Sequence, residues 1–467
     1  MKRWLAILIL LGAIVGVGVF LASRKKSPPV PVDLTVFFTC DARGRLVPCG
    51  CFSGQYGGLT RLKTVLDQEG GTNSIRADVG NAIRGKEDYN LIEYKYMLQA
   101  YAAMNFDALN LGHREAQLSA DQLSALKNES PVTLISANLL DKKSGSPLVE
   151  PYKIINRGKY KVALLGLMDS QMQNESLGAG VGLEKMEVTL ERLLPELKRK
   201  ADVVILLAFT DEVSLSRLAQ EFYELDIILG GKVSQPSQKL DKENRSLILY
   251  TANEGRALGR LKAKVSGHGK VAAVDHEIKL LQDQIPESDA VRSMAEKYRK
   301  EVRATKLSVD DPANLQDNMV PGVKVTAAYV GSQNCVECHK TAAKVWQESG
   351  HAEAMNTLIN RSADADPNCI ACHTVGFGSP SGYRREFAGK KLVDVGCESC
   401  HGPGSLHVEQ RQKQLPITFK FRPLGAGDCQ KCHFGEFSRP FDWNRFWPHI
   451  QHGKEPVRNA ALGKDKQ

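Results

Sequence analysis

Four copies of one short pattern, Cys-x-x-Cys-His, lie in the last third of this 467-residue chain and contain all eight cysteines that follow position 300. Two thiols two residues apart can each form a thioether to one porphyrin, and the next histidine can bind the iron from the proximal face. A zinc ribbon or a disulfide framework would need no histidine after every pair. The pattern therefore predicts four covalently bound haem c groups, attached through Cys335, Cys338, Cys369, Cys372, Cys397, Cys400, Cys429 and Cys432, with His339, His373, His401 and His433 as proximal ligands.

Four further histidines follow position 300 and are candidates for the distal faces of the irons: His351, His407, His449 and His452. An iron with histidine on both faces is low-spin and suited to electron transfer. Four haems and four spare histidines predict a tetrahaem domain with mostly bis-histidine haems. His449 and His452 lie too close in sequence for both to be assumed ligands, and Met355 is an alternative sixth ligand that the count does not require.

The sequence around these motifs resembles a known family. The run from Gly331 to His407 contains Trp346 and SGHAEAM, then CIACHTVGF, then CESCHGPGSLH. It is similar to the tetrahaem cytochromes c of the nitrification type, which carry electrons from hydroxylamine oxidation. The resemblance implies that His351 and His407 are distal ligands and that Phe441–Gly453 supplies another, with His452 the better match. One haem in that family can be five-coordinate and open to small nitrogen oxides, whereas this chain has enough histidines to close all four.

The first 26 residues predict an export signal or a membrane anchor. The apolar run Leu5–Ala22 would measure about 27 Å as a helix, close to the thickness of a bilayer core. Phe20 and Leu21 are poorly suited to a cleavage site, so we expect a retained transmembrane helix. Haem c is attached outside the cytoplasm, which predicts a periplasmic or otherwise extracytoplasmic body anchored to the inner membrane.

The net charge of +9 does not indicate a nucleic-acid partner. Four haems would add about eight propionate groups and bring the holoprotein near neutrality. No basic run with interleaved aromatic residues is present. Redox proteins, acting as electron donor and acceptor, are the partners that the motifs predict, and the membrane is contacted through the N-terminal helix.

Buried strands alternating with amphipathic helices predict an α/β layered sandwich over residues 33–283. A helix at Asp289–Leu307 and a polar linker, Ser308–Gln316, fill residues 284–319, and a mostly α-helical or irregular tetrahaem domain occupies residues 320–467. The predicted strands are Leu34–Cys40, Ser74–Val79, Asp107–Gly112, Thr133–Leu140, Lys161–Met168, Val203–Phe209, Ile227–Gly230 and Leu247–Thr251.

This layered domain resembles the metallophosphoesterases of the 5′-nucleotidase and UDP-sugar hydrolase kind. The matching segments, in chain order, are TCDARG, YGGLTRL, ADVGN, FDALNLGHRE, LLGLMD, LLAFTD, LDIILGGK and GRALGRL. Such enzymes bind two divalent metals through Asp, Asn and His ligands and use a metal-bound hydroxide to attack phosphorus. The resemblance covers most of the domain, so it implies the fold of that family.

The metal ligands of that family are largely replaced in this chain. Asp41 matches the first ligand, but Arg43 stands where the pattern has histidine, and Asn81 replaces the bridging aspartate. Cations and a phenyl ring cannot bind a divalent metal. We therefore expect no divalent metal pair and little hydrolase activity. The remaining departures are His113-Arg114 in place of Asn-His, and Phe209, Lys232 and Ser234 in place of histidines.

Cys40, Cys49 and Cys51 follow the first predicted strand, where the metals would be held. A disulfide between Cys40 and one of the other two suits an oxidising compartment. The third thiol would then be left over and could be reactive or bind a soft metal near Asp41 and His113.

Three functions from different classes follow from these observations. The first is a membrane-tethered, exported electron carrier whose layered domain docks a partner or provides a thiol site. The second is a redox enzyme that acts on a small nitrogen or sulfur compound at a haem with an open axial position. The third is a metal-dependent phosphoesterase, which the missing ligands disfavour.

Overall fold

The structure is a computed structural model that describes residues 31–48, 55–71, 74–171, 176–251, 254–267, 269–315, 327–387, 392–418, 421, 423–434 and 441–453. The predicted anchor, residues 1–26, lies outside this range, as do Cys49 and Cys51. In the described ranges we find no helix that combines the length and the apolar character needed to cross a membrane.

Residues 31–315, called the first domain below, contain all fourteen strands of the described chain. The strands, in chain order, are β1 (Val32–Thr39), β2 (Ile75–Asp78), β3 (Ala108–Asn110), β4 (Leu134–Ile135), β5 (Leu139–Asp141), β6 (Tyr152–Arg157), β7 (Tyr160–Met168), β8 (Val181–Leu183), β9 (Val203–Phe209), β10 (Ile227–Gly231), β11 (Asp241–Glu243), β12 (Ser246–Tyr250), β13 (Ala257–Ser266) and β14 (Lys270–Leu280).

These strands form two six-stranded sheets and one short antiparallel pair, β5–β8. The first sheet has the order β14-β13-β1-β2-β3-β4, and the second has the order β11-β12-β10-β9-β7-β6. In the first sheet β1 to β4 are parallel and β13 and β14 are antiparallel. In the second sheet β12, β10, β9 and β7 are parallel, and β11 and β6 are antiparallel edge strands. The α/β layered architecture expected from the sequence is therefore present.

The two sheets pack face to face. Because the side chains of a strand alternate between its two faces, one strand contributes to two layers of the core. In β9, Val203, Ile205 and Leu207 join the large core that also contains residues of the first sheet. Leu206, at an intervening position, belongs to a second core that contains Leu190 of the covering helix. A strand buried on both faces needs apolar residues at every position, which explains the continuous apolar sequence VVILLAF.

Six helices of the first domain cover the sheets. They are α1 (Leu59–Glu69), α2 (Asp88–Ala103), α3 (Ala120–Glu129), α4 (Met186–Lys200), α5 (Glu212–Glu221) and α6 (Asp289–Ala304). The sequence predicts helix α6 as part of a connection between domains. In the structure it buries Val291, Ala295 and Val302 in the main core of the first domain.

The described residues between 327 and 453, called the haem segment below, fold as short helices joined by turns. The helices are α7 (Gln333–Val336), α8 (Lys340–Gln347), α9 (Ala354–Ile359), α10 (Pro367–His373), α11 (Cys397–His401), α12 (Ser405–Gln412), α13 (Ala426–Cys429) and α14 (Trp443–Phe446). The buried apolar cluster of the described haem segment has only five members: Met355, Leu358, Ala363, Ile370 and Tyr383. So small a core leaves room for large apolar groups to complete it.

Candidate haem sites and the loops at the sheet edge

Each Cys-x-x-Cys-His motif adopts a helical turn. In α10 and α11 all five motif residues are helical, and Cys335 and Cys429 lie in α7 and α13. Residues three apart on a helix lie on the same face. The two thiols of a motif therefore point to one side of the turn, as attachment to a single porphyrin requires.

Three proximal histidines face a second histidine in the folded chain. The ring centroids are 6.1 Å apart for His339 and His407, 6.0 Å for His433 and His351, and 5.9 Å for His401 and His452. A metal–nitrogen bond to imidazole is about 2 Å long, and the ring centroid lies about 1 Å beyond the nitrogen. Two imidazoles on one iron would thus have centroids about 6 Å apart, so these three pairs fit an iron between them.

The protonation behaviour of these histidines suits iron ligation, which requires neutral imidazole. Burial, together with the neighbouring His433, lowers the pKa of His351. Burial also lowers the pKa of His433, and burial with the neighbouring His339 lowers the pKa of His407. Each effect disfavours the imidazolium form, so the rings remain available as ligands at neutral pH.

The fourth proximal histidine, His373, has a different surrounding. Its Nδ1 lies 2.7 Å from the carbonyl oxygen of Ala354, which orients the ring and leaves Nε2 available for an iron. Across the residues that the structure describes, neither His449 nor another histidine ring pairs with His373. The side chain of Met355 is buried in the small apolar cluster of the haem segment.

The proximity of cysteines gives the spatial order of the motifs, which differs from their order in the chain. The first motif lies beside the third, the second beside the fourth, and the third near the fourth. The motifs thus follow one another in space as second, fourth, third and first. The neighbouring pairs are Cys335 and Cys397, Cys372 and Cys432, and Cys400 and Cys429. Burial and the neighbouring thiol raise the pKa of Cys400 to about 11.

Glu398, inside the third motif, is the main polar anchor of the haem segment. Its buried carboxylate accepts hydrogen bonds from the backbone N–H groups of Val330 (3.0 Å), Gly331 (2.7 Å) and Gly404 (2.7 Å). One side chain thereby fixes the chain before the first motif to the chain after the third.

Replacement of Glu398 by glutamine should destabilise the holoprotein by about 3 kcal/mol, because the amide group would face backbone donors that now bond to a charged acceptor. Denaturant unfolding followed by circular dichroism measures this change. Glu409→Gln is the matched control, since Glu409 is exposed and, among the described residues, its carboxylate pairs with Lys413 in the next turn. Equal unfolding midpoints for the two variants would contradict the role of Glu398.

The candidate phosphoesterase residues of the first domain lie in the loops after the parallel strands. Asp41 and Arg43 follow β1, Asn81 follows β2, His113 follows β3, and Lys232 follows β10. The carboxyl ends of parallel strands meet at one edge of a sheet, which is the usual place for a site in α/β folds. The two sheets thus bring together residues that are far apart in sequence.

Around Asp41, positions of the metal-ligand pattern are occupied by cations and an amide. Arg43 Nε donates to Asp41 Oδ1 at 2.8 Å, and Asn81 Nδ2 donates to the same oxygen at 3.3 Å. Burial raises the pKa of Asp41, and the guanidinium of Arg43 partly offsets this. Arg43 and Arg45 also pair with Glu254, at 2.9 and 2.8 Å.

A second group forms around Asp169. Lys232 Nζ lies 2.9 Å from each carboxylate oxygen, His113 Nε2 lies 2.9 Å from Oδ1, and Thr210 Oγ1 donates to Oδ2 at 2.8 Å. Burial would raise the pKa of Asp169, but these bonds outweigh it and lower the pKa. The ring of Phe209 packs edge-on against His113, with centroids 5.1 Å apart.

Several of these residues have a backbone conformation that is uncommon outside glycine. The φ angles of Asp41, Arg43, Asn81 and Lys232 are 58°, 46°, 61° and 58°. Strained residues of this kind occur preferentially at functional sites. Among the residues of the described ranges, however, no group of three or more His, Cys, Asp or Glu side chains could hold a metal ion.

Cys40 is fully buried at this edge of the sheet. Its Sγ lies 3.6 Å from the carbonyl oxygen of Gly80, and burial, together with Asp41 and Asp78, raises the pKa of the thiol. A thiol with a raised pKa is a poor nucleophile at neutral pH. Its predicted disulfide partners, Cys49 and Cys51, lie outside the described residues. Ser234, predicted to replace a histidine ligand, is exposed.

The fold and motifs define a protein of two classes: a metallophosphoesterase-like domain followed by a c-type cytochrome segment. The family model of cytochrome c554 and c-prime matches residues 334–402. Cytochrome c-554 of Nitrosomonas europaea is 39% identical over 93 residues, which covers 17% of this chain and 40% of that relative. The 5′-nucleotidase of Vibrio cholerae is 26% identical over 235 residues, which covers 44% of this chain and 40% of that relative.

Solved structures resemble the first domain in fold. A 5′-nucleotidase precursor from Thermus thermophilus superposes with a TM-score of 0.51 at 18% identity, covering 58% of this chain and 59% of that one. The sulfate thiohydrolase SoxB of the same organism gives 0.50 at 17% identity, covering 58% and 61%. The chain thus fuses a 5′-nucleotidase-like domain to a segment similar to cytochrome c554, and it spans less than half the length of the two curated relatives named above.

Several residues of these sites were not singled out from the sequence. Glu254 pairs with three arginines, Arg43, Arg45 and Arg256, but follows no recognisable motif. The carboxylate of Glu115 accepts hydrogen bonds from the backbone N–H groups of Asn81, Ile83 and Gly112. Glu115 is the last residue of the FDALNLGHRE segment, so that motif was the feature of the sequence that could have identified it. Glu398 lies within a haem motif, whose spacing gives a role to its cysteines and histidine but none to this position.

Proposed function

We propose that the chain is an exported tetrahaem cytochrome c that relays electrons between redox proteins. The observation that carries the proposal is the set of three facing histidine pairs at about 6 Å, each including a proximal histidine of a Cys-x-x-Cys-His motif. Haem c bound at these motifs supplies one-electron chemistry. Each pair could hold an iron between its two imidazole rings, which would keep the coordination of the iron the same in both oxidation states.

The contiguity of the motifs supports a relay rather than four separate centres. The second, fourth, third and first motifs follow one another in space with their cysteines near each other. Electrons entering at one end can therefore leave at the other without passing through the first domain. The N-terminal apolar run would tether the protein to the inner membrane, with the haems on the extracytoplasmic side.

Haem analysis with a redox titration tests this proposal. We expect four haem c groups per chain and complete, reversible oxidation and reduction of all four. Fewer than four covalently attached haems, or irons that do not exchange electrons with one another, would contradict it.

A second function, at the His373 haem, is favoured by one observation. His373 is oriented by Ala354, and no histidine ring pairs with it in the described part of the chain. We propose that this haem has an open axial position where a small nitrogen or sulfur compound binds. Nitric oxide added to the reduced protein should bind one iron in four, whereas absence of binding, or binding to several irons, would contradict the open position.

We further propose that the first domain holds no divalent metal pair and does not hydrolyse phosphoesters. The guanidinium of Arg43 bonds to Asp41, which matches the first metal ligand, and Lys232, which replaces a ligand histidine, bonds to the nearby carboxylate of Asp169. A cation at each carboxylate repels a dication and takes up the ligand oxygens. The domain then serves to dock a partner of the cytochrome.

The hydrolase assay that tests this uses the holoprotein with Mn²⁺ and a nucleoside monophosphate or a UDP-sugar. We expect no metal-dependent release of phosphate or sugar phosphate above the rate without protein. Asp41→Ala is the control variant. A metal-dependent rate that Asp41→Ala abolishes would show that the domain remains an enzyme.

A further inference from the structure

Helix α6 lies between the two parts of the protein and contacts both. Val291, Ala295 and Val302 are buried in the core of the first domain. Tyr298 and Arg303, from other positions of the same helix, contact the haem segment just before its second motif. The helix is therefore packed firmly on one side and bonded to the haem segment on the other.

The central contact joins Tyr298 to Asp366. The phenol hydroxyl donates to Asp366 Oδ2 at 2.8 Å, and the two residues are only 3% and 6% exposed. The other carboxylate oxygen, Oδ1, accepts from the backbone N–H of Asn368 at 2.9 Å and so caps helix α10. Helix α10 carries Cys369, Cys372 and His373. The carboxylate of Asp366 thus accepts a hydrogen bond from the first domain and caps the N-terminus of the haem-bearing helix.

Further bonds surround this contact. Arg303 pairs with Asp364, with N–O distances of 2.5 and 3.2 Å, and Arg299 donates to the carbonyl oxygen of Arg361 at 2.8 Å. Beyond the motif, Arg385 pairs with Asp310 at 2.8 Å, and both side chains are less than a tenth exposed. The chain on either side of the second motif is therefore fixed to the first domain.

Tyr298 is suited to remain a hydrogen-bond donor. Burial, with the nearby carboxylates of Glu93 and Asp366, raises the pKa of its hydroxyl well above the usual value. The phenol stays protonated over the whole working range of pH. Its bond draws electron density from Asp366, so the haem site experiences less negative charge than it would beside an unbonded carboxylate.

We propose that the first domain tunes the haem on His373, with Tyr298, Arg303 and Asp366 as positioning residues. This inference rests on the proposed function, which makes α10 a haem-bearing helix at one end of the relay. Negative charge near an iron favours its ferric form, and hydrogen bonds or cations that offset the charge favour the ferrous form. The first domain thereby raises the midpoint potential of this haem above the value that it would have without these bonds.

The test is a redox titration of the full-length holoprotein, with each haem followed by EPR and optical absorbance. Tyr298→Phe, which removes only a hydroxyl, should lower the midpoint potential of the His373 haem. Asp366→Asn, which removes the negative charge, should raise it. An electrostatic effect should shift the midpoint potential in opposite directions when the two partners of one hydrogen bond are replaced. A general loosening of the structure would instead shift the potential in the same direction in both variants.

Two further variants keep the test decisive. Tyr96→Phe removes a comparable hydrogen bond, 2.7 Å from hydroxyl to Glu301 on the same helix, and should leave all four potentials unchanged. Arg303→Gln, at a partly exposed position, should shift the potential in the same direction as Tyr298→Phe even if Asp366→Asn fails to fold.

Unshifted potentials in Tyr298→Phe and Arg303→Gln, or equal shifts at all four haems, would overturn the inference. That result would leave the relay itself intact, provided that the unmodified protein has four haems. A wild-type protein with fewer haems would instead contradict the proposed function.

Discussion

Serine in place of both Cys397 and Cys400 should lower the yield of soluble holoprotein by about tenfold or more, rather than remove one haem from an otherwise normal protein. The described haem segment buries only five apolar side chains in its own cluster, so the porphyrins must provide most of its core. The third motif also contains Glu398, which joins two parts of the segment. Loss of this haem therefore removes apolar contacts at the centre of the segment.

The measurement is the amount of soluble protein together with its haem content. Cys400→Ser alone is the matched control, because one thioether and His401 would still retain the haem. The single variant should keep most of the yield. A soluble protein with three haems and normal yield from the double variant would show that the haem segment folds without the porphyrins.

Alanine in place of His351, His407 or His452 should convert one low-spin iron to high-spin and leave the others unchanged. Each of these rings faces a proximal histidine at about 6 Å, so its removal opens one axial position. EPR of the oxidised variants counts the two kinds of iron. The expected change is large, because one in four haems changes its spin state completely.

His449→Ala is the control for this series. It differs from His452→Ala by three positions in the chain, and in the described structure it faces no proximal histidine. We expect its EPR spectrum to equal that of the unmodified protein. A change of spin state in His449→Ala without one in His452→Ala would mean that the other histidine of this segment is the ligand.

The sequence predicted the inner strands well, because they are buried on both faces and their apolar residues are continuous. Val203–Phe209 was predicted without error, and Lys161–Met168 within one residue. The hairpin of β13 and β14 was not predicted, since β14 is largely exposed and its sequence KVAAVDHEIKL lacks a buried face. Thr133–Leu140 was predicted as one strand but contains two, because the chain leaves the first sheet there.

The break between β4 and β5 is caused by a buried polar residue, which the run of apolar residues around it does not reveal. Asn138 is buried and donates to the backbone carbonyls of Met168 and Glu184, which draws the chain toward the second sheet. A buried amide with such specific partners ends the regular pairing of a strand. In the apolar pattern Asn138 is only one polar position within a predicted strand. The hydrogen-bond partners that end the strand there are distant in sequence.

The sequence predicted the haem-attachment residues, but it did not predict which residues of the candidate sites lie together. Spacing alone marked the haem-attachment residues, because the chemistry of one porphyrin is contained in five consecutive positions. The pairing of His351 with His433 joins residues far apart in the chain, and only the fold brings them together. The bonds of Lys232 and His113 to Asp169 likewise depend on loops from different strands.

The most direct test of the account is the EPR spectrum of the fully oxidised protein, with the spins of each kind of iron counted against total haem. We predict three low-spin irons for each high-spin iron, with the high-spin signal arising from the haem on His373. Four low-spin irons would mean that every axial position is closed and that no small molecule binds at the end of the relay. Two or more high-spin irons would contradict the histidine pairs on which the relay depends.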